Sequence, residues 1–319
     1  MLQRKSLYRA KPLFYFVNKI LENGIAMQLS DGIIQQIQHY TGQSFTPVNS
    51  KQAFGGSINQ AFTVSDGTRD FFVKTNSPQK LDMFEAEALG LEELRKANSI
   101  RIPQVIGYGN DRKTAWIILE KIHFGGGNHQ SALDAGRQLA QLHSKTAQLF
   151  GWQHQNTIGA TPQDNTPEHD WIDFWKSRRL GTQLEFAEQK GYRGTVIDIC
   201  TELTERCDSF IDHKPAASLL HGDLWSGNLS YDSVGRPVIF DPAVYYGDHE
   251  TDLAMTELFG GFHASFYSAY REVKPIDSGY SVRKRLYNLY HILNHMNLFG
   301  GGYEGQAVSI AQGLLAELR

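Results

Sequence analysis

Between residues 221 and 228 the chain reads His221-Gly222-Asp223-Leu224-Trp225-Ser226-Gly227-Asn228. Thirteen residues past Asn228, Asp241 ends the apolar run Val238-Ile239-Phe240. In this spacing one carboxylate accepts the proton of an attacking hydroxyl, and an asparagine five positions later binds magnesium. A second carboxylate at a strand end adds another of the hard oxygens that magnesium takes together with phosphate oxygens. The pattern predicts Asp223 as catalytic base and Asn228 and Asp241 as metal ligands, with ATP and Mg2+ as the cofactors. Each residue alone has a plainer use. His221 could be a hydrogen-bonded interior histidine supporting the loop, Asp223 a turn residue and Asn228 a loop residue. The weight lies in the combination, because a lone match of this length arises by chance.

A triphosphate also needs contacts from a second direction. Phe54-Gly55-Gly56-Ser57-Ile58-Asn59 lies between two strand candidates. Glycines there let backbone N–H groups approach phosphate, so Gly55, Gly56 and Ser57 are nucleotide candidates. The segment is neither G-x-G-x-x-G nor a Walker A loop. Lys74 ends the next strand, Phe71-Phe72-Val73-Lys74, and is expected to grip the α- and β-phosphates. Its orienting carboxylate is assigned to Glu87, with Glu85 as second choice, because Ala88 and Leu91 put Glu87 near the inward edge of a helix. The strand Trp116–Leu119 runs into Glu120-Lys121-Ile122. The Glu120 carbonyl and the Ile122 N–H are the expected adenine contacts.

These residues need a particular scaffold. From Ser44 to Ile122 the sequence is rich in strand signals: Ala61–Val64 and Phe71–Lys74 flank an Asp66-Gly67 turn, and Gln104–Tyr108 and Ala115–Leu119 follow. One helix, Pro78 to Ala97, interrupts them. After the break at Phe124-Gly125-Gly126-Gly127-Asn128 the pattern turns helical. It has one face at Ala132, Ala135, Leu139 and Leu142, another helix over Asp170–Glu188, and further helices from Glu250 to Leu318. The exception is Leu219 to Asp241, a hairpin turning at Asp232–Gly235. The expected fold class is therefore α+β and bilobal, with a small strand-rich lobe and a larger helical one. The boundaries are a 1–26 extension, a 27–121 nucleotide lobe and a 122–319 helical lobe. The extension carries Arg4, Lys5, Arg9 and Lys11 before a short apolar stretch. That stretch is too short and interrupted to read as a signal peptide. A fresh start at Met27 leads to Ser30 as helix N-cap and to Ile33, Ile34 and Ile37 as an apolar stripe.

The chain has 319 residues, 41% of them hydrophobic, with 31 basic and 34 acidic side chains. That balance gives no reason to expect nucleic acid or anionic membrane as partner, and no apolar run reaches a membrane span. Cys200 and Cys207 are the two cysteines. On one helix they would lie roughly 10 Å apart along the axis, too far for a disulfide. They are expected to be reduced thiols in a cytoplasmic protein.

Leu220–Asn228 resembles the catalytic loop of the fructosamine kinase family, ketosamine-3-kinases included. The resemblance continues through Phe84-Glu85-Ala86-Glu87-Ala88, Asp241-Pro242-Ala243 with Tyr246-Gly247, Leu258-Phe259-Gly260-Gly261-Phe262 and Asn294-His295. It spans roughly residue 50 to the end. It implies a protein-kinase-like fold of aminoglycoside phosphotransferase type. The implied reaction is ATP-dependent phosphorylation of the 3-hydroxyl of a fructosyl or ribulosyl amine, free or protein-bound, as a step in deglycation. Some members carry a cysteine in the phosphate loop that permits redox-sensitive dimers. Residues 55–60 contain none, so that switch is not carried over.

For such an acceptor, Trp225 beside the base is expected to wall the sugar pocket. His291, Asn294 and His295 share a helical face and are candidates to line it. Asp248 and Glu250 are candidates to meet the protonated amine. Asp252 is expected to brace the catalytic loop or cap a helix. Two readings compete: another small-molecule kinase of aminoglycoside or choline type, and a non-catalytic nucleotide-binding protein. A protein kinase is excluded, because about ten residues separate Asp241 from the next helix and no Ala-Pro-Glu follows.

Overall fold

A computed structural model describes residues 29–53 and 58–318. The expectations for residues 1–26 and for Gly55, Gly56 and Ser57 lie outside the described residues. Helix α1 (Asp31–Thr41) starts as expected: the Ser30 side chain accepts the Gly32 N–H at 3.1 Å. Strands β1 (Asn49–Gln52), β2 (Gln60–Ser65) and β3 (Asp70–Asn76) follow, then helix α2 (Leu81–Lys96) and strands β4 (Val105–Asn110) and β5 (Ala115–Glu120). The five strands form one antiparallel sheet in the order β1-β2-β3-β5-β4.

Strand periodicity of two sorts this sheet into two faces. Phe62, Val64, Val73, Trp116 and Ile118 pack with Ile33 and Ile37 of α1 in one small core. Ile117 and Leu119 point the other way and join Phe84, Leu91 and Leu94 of α2 in the main core. Lys74 follows Val73 and sits opposite Ile117. Alternation therefore turns its side chain toward α2, with no other determinant needed.

The rest of the chain is mainly helical. Helix α3 (His129–Leu142) begins at Asn128, whose side chain caps Ser131 N–H at 3.0 Å. Short strands β6 (Thr146–Ala147), β7 (Asn156–Ile158) and β8 (Thr161–Gln163) follow. The predicted helix over Asp170–Glu188 is α4 (Trp171–Phe174), a wide π-type turn over Trp175–Gly181, and α5 (Thr182–Gln189). Helix α6 (Thr195–Glu205) ends before Cys207, so the two cysteines do not share one regular helix. Both are buried and free, and burial pushes each thiol up to about 12.

Strand β9 (Ala217–Leu220) leads into the Asp223 loop. Strands β10 (Leu229–Tyr231) and β11 (Pro237–Ile239) form the hairpin read from the sequence, and β12 (Tyr245–Gly247) pairs back onto β9. Helices α7 (Glu250–Leu258), α8 (Ala264–Val273), α9 (Tyr280–Phe299) and α10 (Tyr303–Glu317) complete the chain. Among the described residues, no helix is long and apolar enough to cross a membrane.

Candidate active site

A cleft of about 550 Å³ lies between the five-stranded sheet and the helical part. Lys74, Glu87, Asp223, Asn228 and Asp241 all line it. Lys74 Nζ donates to Glu87 at 2.7 Å and to Asp241 at 2.5 Å. Burial opposes the charge on Lys74, but Asp241 and Glu87 outweigh it and raise the pKa, so the ammonium persists. Burial raises the pKa of Glu87; Lys74 opposes this and the Asp241 charge adds to it. Glu85, the second choice, instead accepts the Tyr108 hydroxyl at 3.2 Å at an exposed position.

The Asp223 loop is held from below. Gly222 has φ +83°, and a Cβ there would lie 2.0 Å from the Ala243 carbonyl oxygen. Only glycine fits that backbone and that approach. The carboxylate of Asp252 accepts the N–H groups of His221 (2.7 Å) and Gly222 (2.8 Å). Asp252 thus braces the loop and does not cap α7; it lies inside that helix, which has no side-chain cap. Burial keeps His143 neutral, and its Nε2–H donates to Asp252 at 3.1 Å while its Nδ1 accepts the Tyr270 hydroxyl at 2.7 Å. Burial likewise lowers the pKa of His221, whose Nε2–H donates to the Phe240 carbonyl at 3.0 Å.

Burial, then the charges of Asp241 and Asp252, push the Asp223 carboxyl up to about 7, against the Asn228 hydrogen bond. Asn228 Nδ2 donates to the Asp223 carbonyl at 2.8 Å. That bond fixes the amide and leaves its oxygen without a hydrogen-bond donor among the described residues. Asp241 adopts φ +58°, a strained conformation for a side-chain-bearing residue, and keeps one carboxylate oxygen beyond the Lys74 contact. The donor set available in the cleft is therefore a carboxylate and an amide oxygen. Three carboxyl groups share it with one ammonium. Both the hard oxygens and the surplus of negative charge fit Mg2+.

The acceptor-side expectations divide. Trp225 lines the cleft, 38% exposed, edge-on to Phe259 with centroids 6.3 Å apart. Asn294 and His295 line it as well. His291 does not: it is buried one helical turn deeper, its carbonyl accepts His295 Nδ1–H at 2.8 Å, and burial pulls its pKa down to about 3. Asp248 and Glu250 also do not line the cleft. Asp248 is fully buried, accepts the Tyr287 hydroxyl at 2.7 Å and lies 2.8 Å from His213 Nε2. Glu250 is clamped by Arg283 through two bonds of 2.7 and 2.8 Å. Neither carboxylate is free to meet a substrate amine.

Glu120, the last residue of β5, and Ile122, two residues beyond it, are not among the residues lining this cleft; the Glu120 side chain turns to Arg101 at 2.6 Å. Sequence reading also missed a wall. The β7–β8 hairpin brings Asn156, Thr157, Ile158 and Gly159 to the cleft. Its signal was short: Thr157 and Ile158 ahead of Gly159, a glycine at φ +61°.

A strand-rich sheet with one internal helix, joined across such a cleft to a helical body, defines a protein-kinase-like phosphotransferase fold. An aminoglycoside phosphotransferase crystallised with ADP and hygromycin B shares it, at TM-score 0.61 over 88% of this chain and 98% of that one. The identity is 16%, so the likeness is one of fold. A crystal structure from Haemophilus somnus assigned as a fructosamine-3-kinase aligns at TM-score 0.82 with 29% identity, over 89% of this chain and 96% of that one. The chain belongs to the fructosamine kinase family, whose model matches residues 29–317. A relative from Synechocystis named a probable ketoamine kinase is 49% identical over 86% of this chain and 93% of its own length. A chloroplastic protein-ribulosamine 3-kinase of Arabidopsis thaliana is 44% identical over 83% of this chain and 82% of its own.

Proposed function

We propose that the protein transfers the γ-phosphoryl group of ATP to the 3-hydroxyl of a ribulosyl or fructosyl amine, free or protein-bound. The observation that carries this reading is the Lys74 ammonium held between Glu87 of α2 and Asp241, with Asp223 and Asn228 lining the same cleft. Identity of 49% and 44% to relatives named for ketoamine and ribulosamine kinase activity favours this acceptor class over aminoglycosides or choline.

In this reading residues 27–121 form the nucleotide side and 122–319 the acceptor side. Gly55, Gly56 and Ser57 approach the phosphates, and the Glu120 carbonyl and Ile122 N–H, which lie beyond the residues lining the cleft, meet adenine. Lys74 positions the α- and β-phosphates, and Glu87 orients Lys74. Asn228 and Asp241 would hold Mg2+, which when bound neutralises phosphate charge. Asp223 accepts a hydrogen bond from the sugar hydroxyl and takes its proton as the new O–P bond forms; the bond from the γ-phosphorus to the β-phosphate bridging oxygen breaks, releasing ADP. Trp225, Asn294 and His295 wall the sugar. Catalysis of this kind is mostly alignment and charge stabilisation. A cytoplasmic setting is part of the same proposal.

ADP release measured with ribulosyl-lysine, fructosyl-lysine, an aminoglycoside and choline tests it. The ketosamines should be turned over, and Asp223→Asn should lower that rate about 100-fold or more. Turnover of the aminoglycoside or choline in preference to both ketosamines would overturn the substrate assignment.

A further inference from the structure

The β10–β11 hairpin carries both metal-ligand candidates. Asn228 stands immediately before β10, Asp241 shortly after β11, and the Phe240 N–H closes the pair by donating to the Asn228 carbonyl at 3.1 Å. Leu229 pairs with Ile239, so the two ends move as one body. At the far end the turn is organised by Asp232, which is 2% exposed. Asp232 accepts the Val234 and Arg236 N–H groups at 3.0 Å each and the Arg236 Nε–H at 2.8 Å.

One more group reaches Asp232 from outside the hairpin. Arg101, in the loop between α2 and β4, donates one guanidinium nitrogen to Asp232 at 2.5 Å and another to Glu120 at 2.6 Å. Its backbone joins the same contact: the Ile239 N–H donates to the Arg101 carbonyl at 3.1 Å, and Arg101 bridges Val238. Glu120 is the last residue of β5. A single planar fork thus links the end of β5 to the hairpin that sets the spacing of Asn228 and Asp241. Lysine offers a point charge without the fork and could not hold both carboxylates in this geometry.

We propose that Arg101 is a positioning residue for the metal-holding pair, fixing the hairpin of Asn228 and Asp241 relative to the end of β5. This rests on the kinase reading above. Groups that orient metal ligands from behind commonly govern metal affinity by about 10-fold or more when removed. Asp232 keeps Arg236 and the turn N–H groups when Arg101 is replaced, so it is not left unpaired.

The test is Mn2+ binding by electron paramagnetic resonance in the presence of ADP, on the full chain, beside ADP binding without metal. Arg101→Gln should weaken Mn2+ about 10-fold and raise the Mg2+ concentration needed for half-maximal turnover to match, while metal-free ADP affinity stays within about twofold. Arg101→Lys, the second variant, keeps the charge but loses the fork and should move in the same direction. Arg236→Gln removes an exposed partner of Asp232 that does not reach Glu120 and should leave Mn2+ affinity within about twofold. Unchanged Mn2+ affinity in the two Arg101 variants, with only a lowered melting temperature, would overturn the proposal. Equal weakening by Arg236→Gln would do the same. Wild-type protein that binds no Mn2+ with ADP overturns the kinase reading and this inference with it.

Discussion

Asp223 and Asp252 are carboxyl groups on the two sides of one loop, and their surroundings push them in opposite directions. Burial and two neighbouring carboxylates hold Asp223 up at about 7. Burial also acts on Asp252, but the His143 hydrogen bond and backbone N–H donors outweigh it and lower its pKa. The signs follow. Folding favours protonated Asp223, so this group costs stability as pH rises from the ordinary carboxylate range toward 7. Asp252 contributes stability that is lost as pH falls below the ordinary carboxylate range through its lowered pKa. For catalysis the base must be unprotonated, so kcat/KM should fall about tenfold per pH unit below the Asp223 pKa. In the nucleotide-free protein, 13C NMR of the aspartate carboxyls should find one titrating there, moving lower in Asp241→Asn. A profile flat down to about pH 5 would contradict the assignment. Lys74, Asn228 and Asp241 were legible in the sequence because each sits at a motif or strand-end position, and the helical spacing of Ala88 and Leu91 ranked Glu87 above Glu85. Asp248 and Glu250 were misread because charge in a sequence carries no depth. Tyr287, His213 and Arg283, which occupy them, come from distant parts of the chain.

The elements that could be read are those with strong periodicity. Alternation along β3 and β5 decided which way Lys74 points, and the apolar spacing of α2 set Glu87 beside it. The β7–β8 hairpin escaped notice because strands of three residues have almost no period to detect. It is fixed by tertiary bonds, such as Asn156 Nδ2 to the Val244 carbonyl at 2.8 Å and Gln163 Nε2 to the Ala243 carbonyl at 3.1 Å. The π-type turn at Trp175–Gly181 was equally invisible. Arg179 lies in it, fully buried over the Tyr245 ring at 4.0 Å and donating to the Asn165 side chain at 2.8 Å. Packing of α3 on α8 gives a prediction at this scale. A Cβ on Gly136 would lie 2.1 Å from the Phe266 carbonyl oxygen, so the two helices meet backbone to backbone. Gly136→Ala gains roughly 1 kcal/mol of helix propensity but must separate the helices, an overpacking cost of about 1–3 kcal/mol. Denaturant unfolding should show net destabilisation, and a more stable variant would contradict the packing.

Across the whole molecule, a sheet with a small core of its own and a mainly helical body meet along one cleft, and the groups that chemistry requires come from both sides. Lys74 and Glu87 arrive from the sheet and α2, while Asp223, Asn228 and Asp241 arrive from the loop and hairpin beyond β9. The central claim is that this cleft moves phosphate from ATP to one sugar hydroxyl of a ketosamine. The most direct measurement is 31P–1H correlation NMR of the product formed from ribulosyl-lysine with ATP and Mg2+. The account predicts a phosphorus signal coupled to the sugar proton at carbon 3, absent with Asp223→Asn. Phosphorus coupled to another position, or ATP consumed with no phosphorylated sugar, would contradict it.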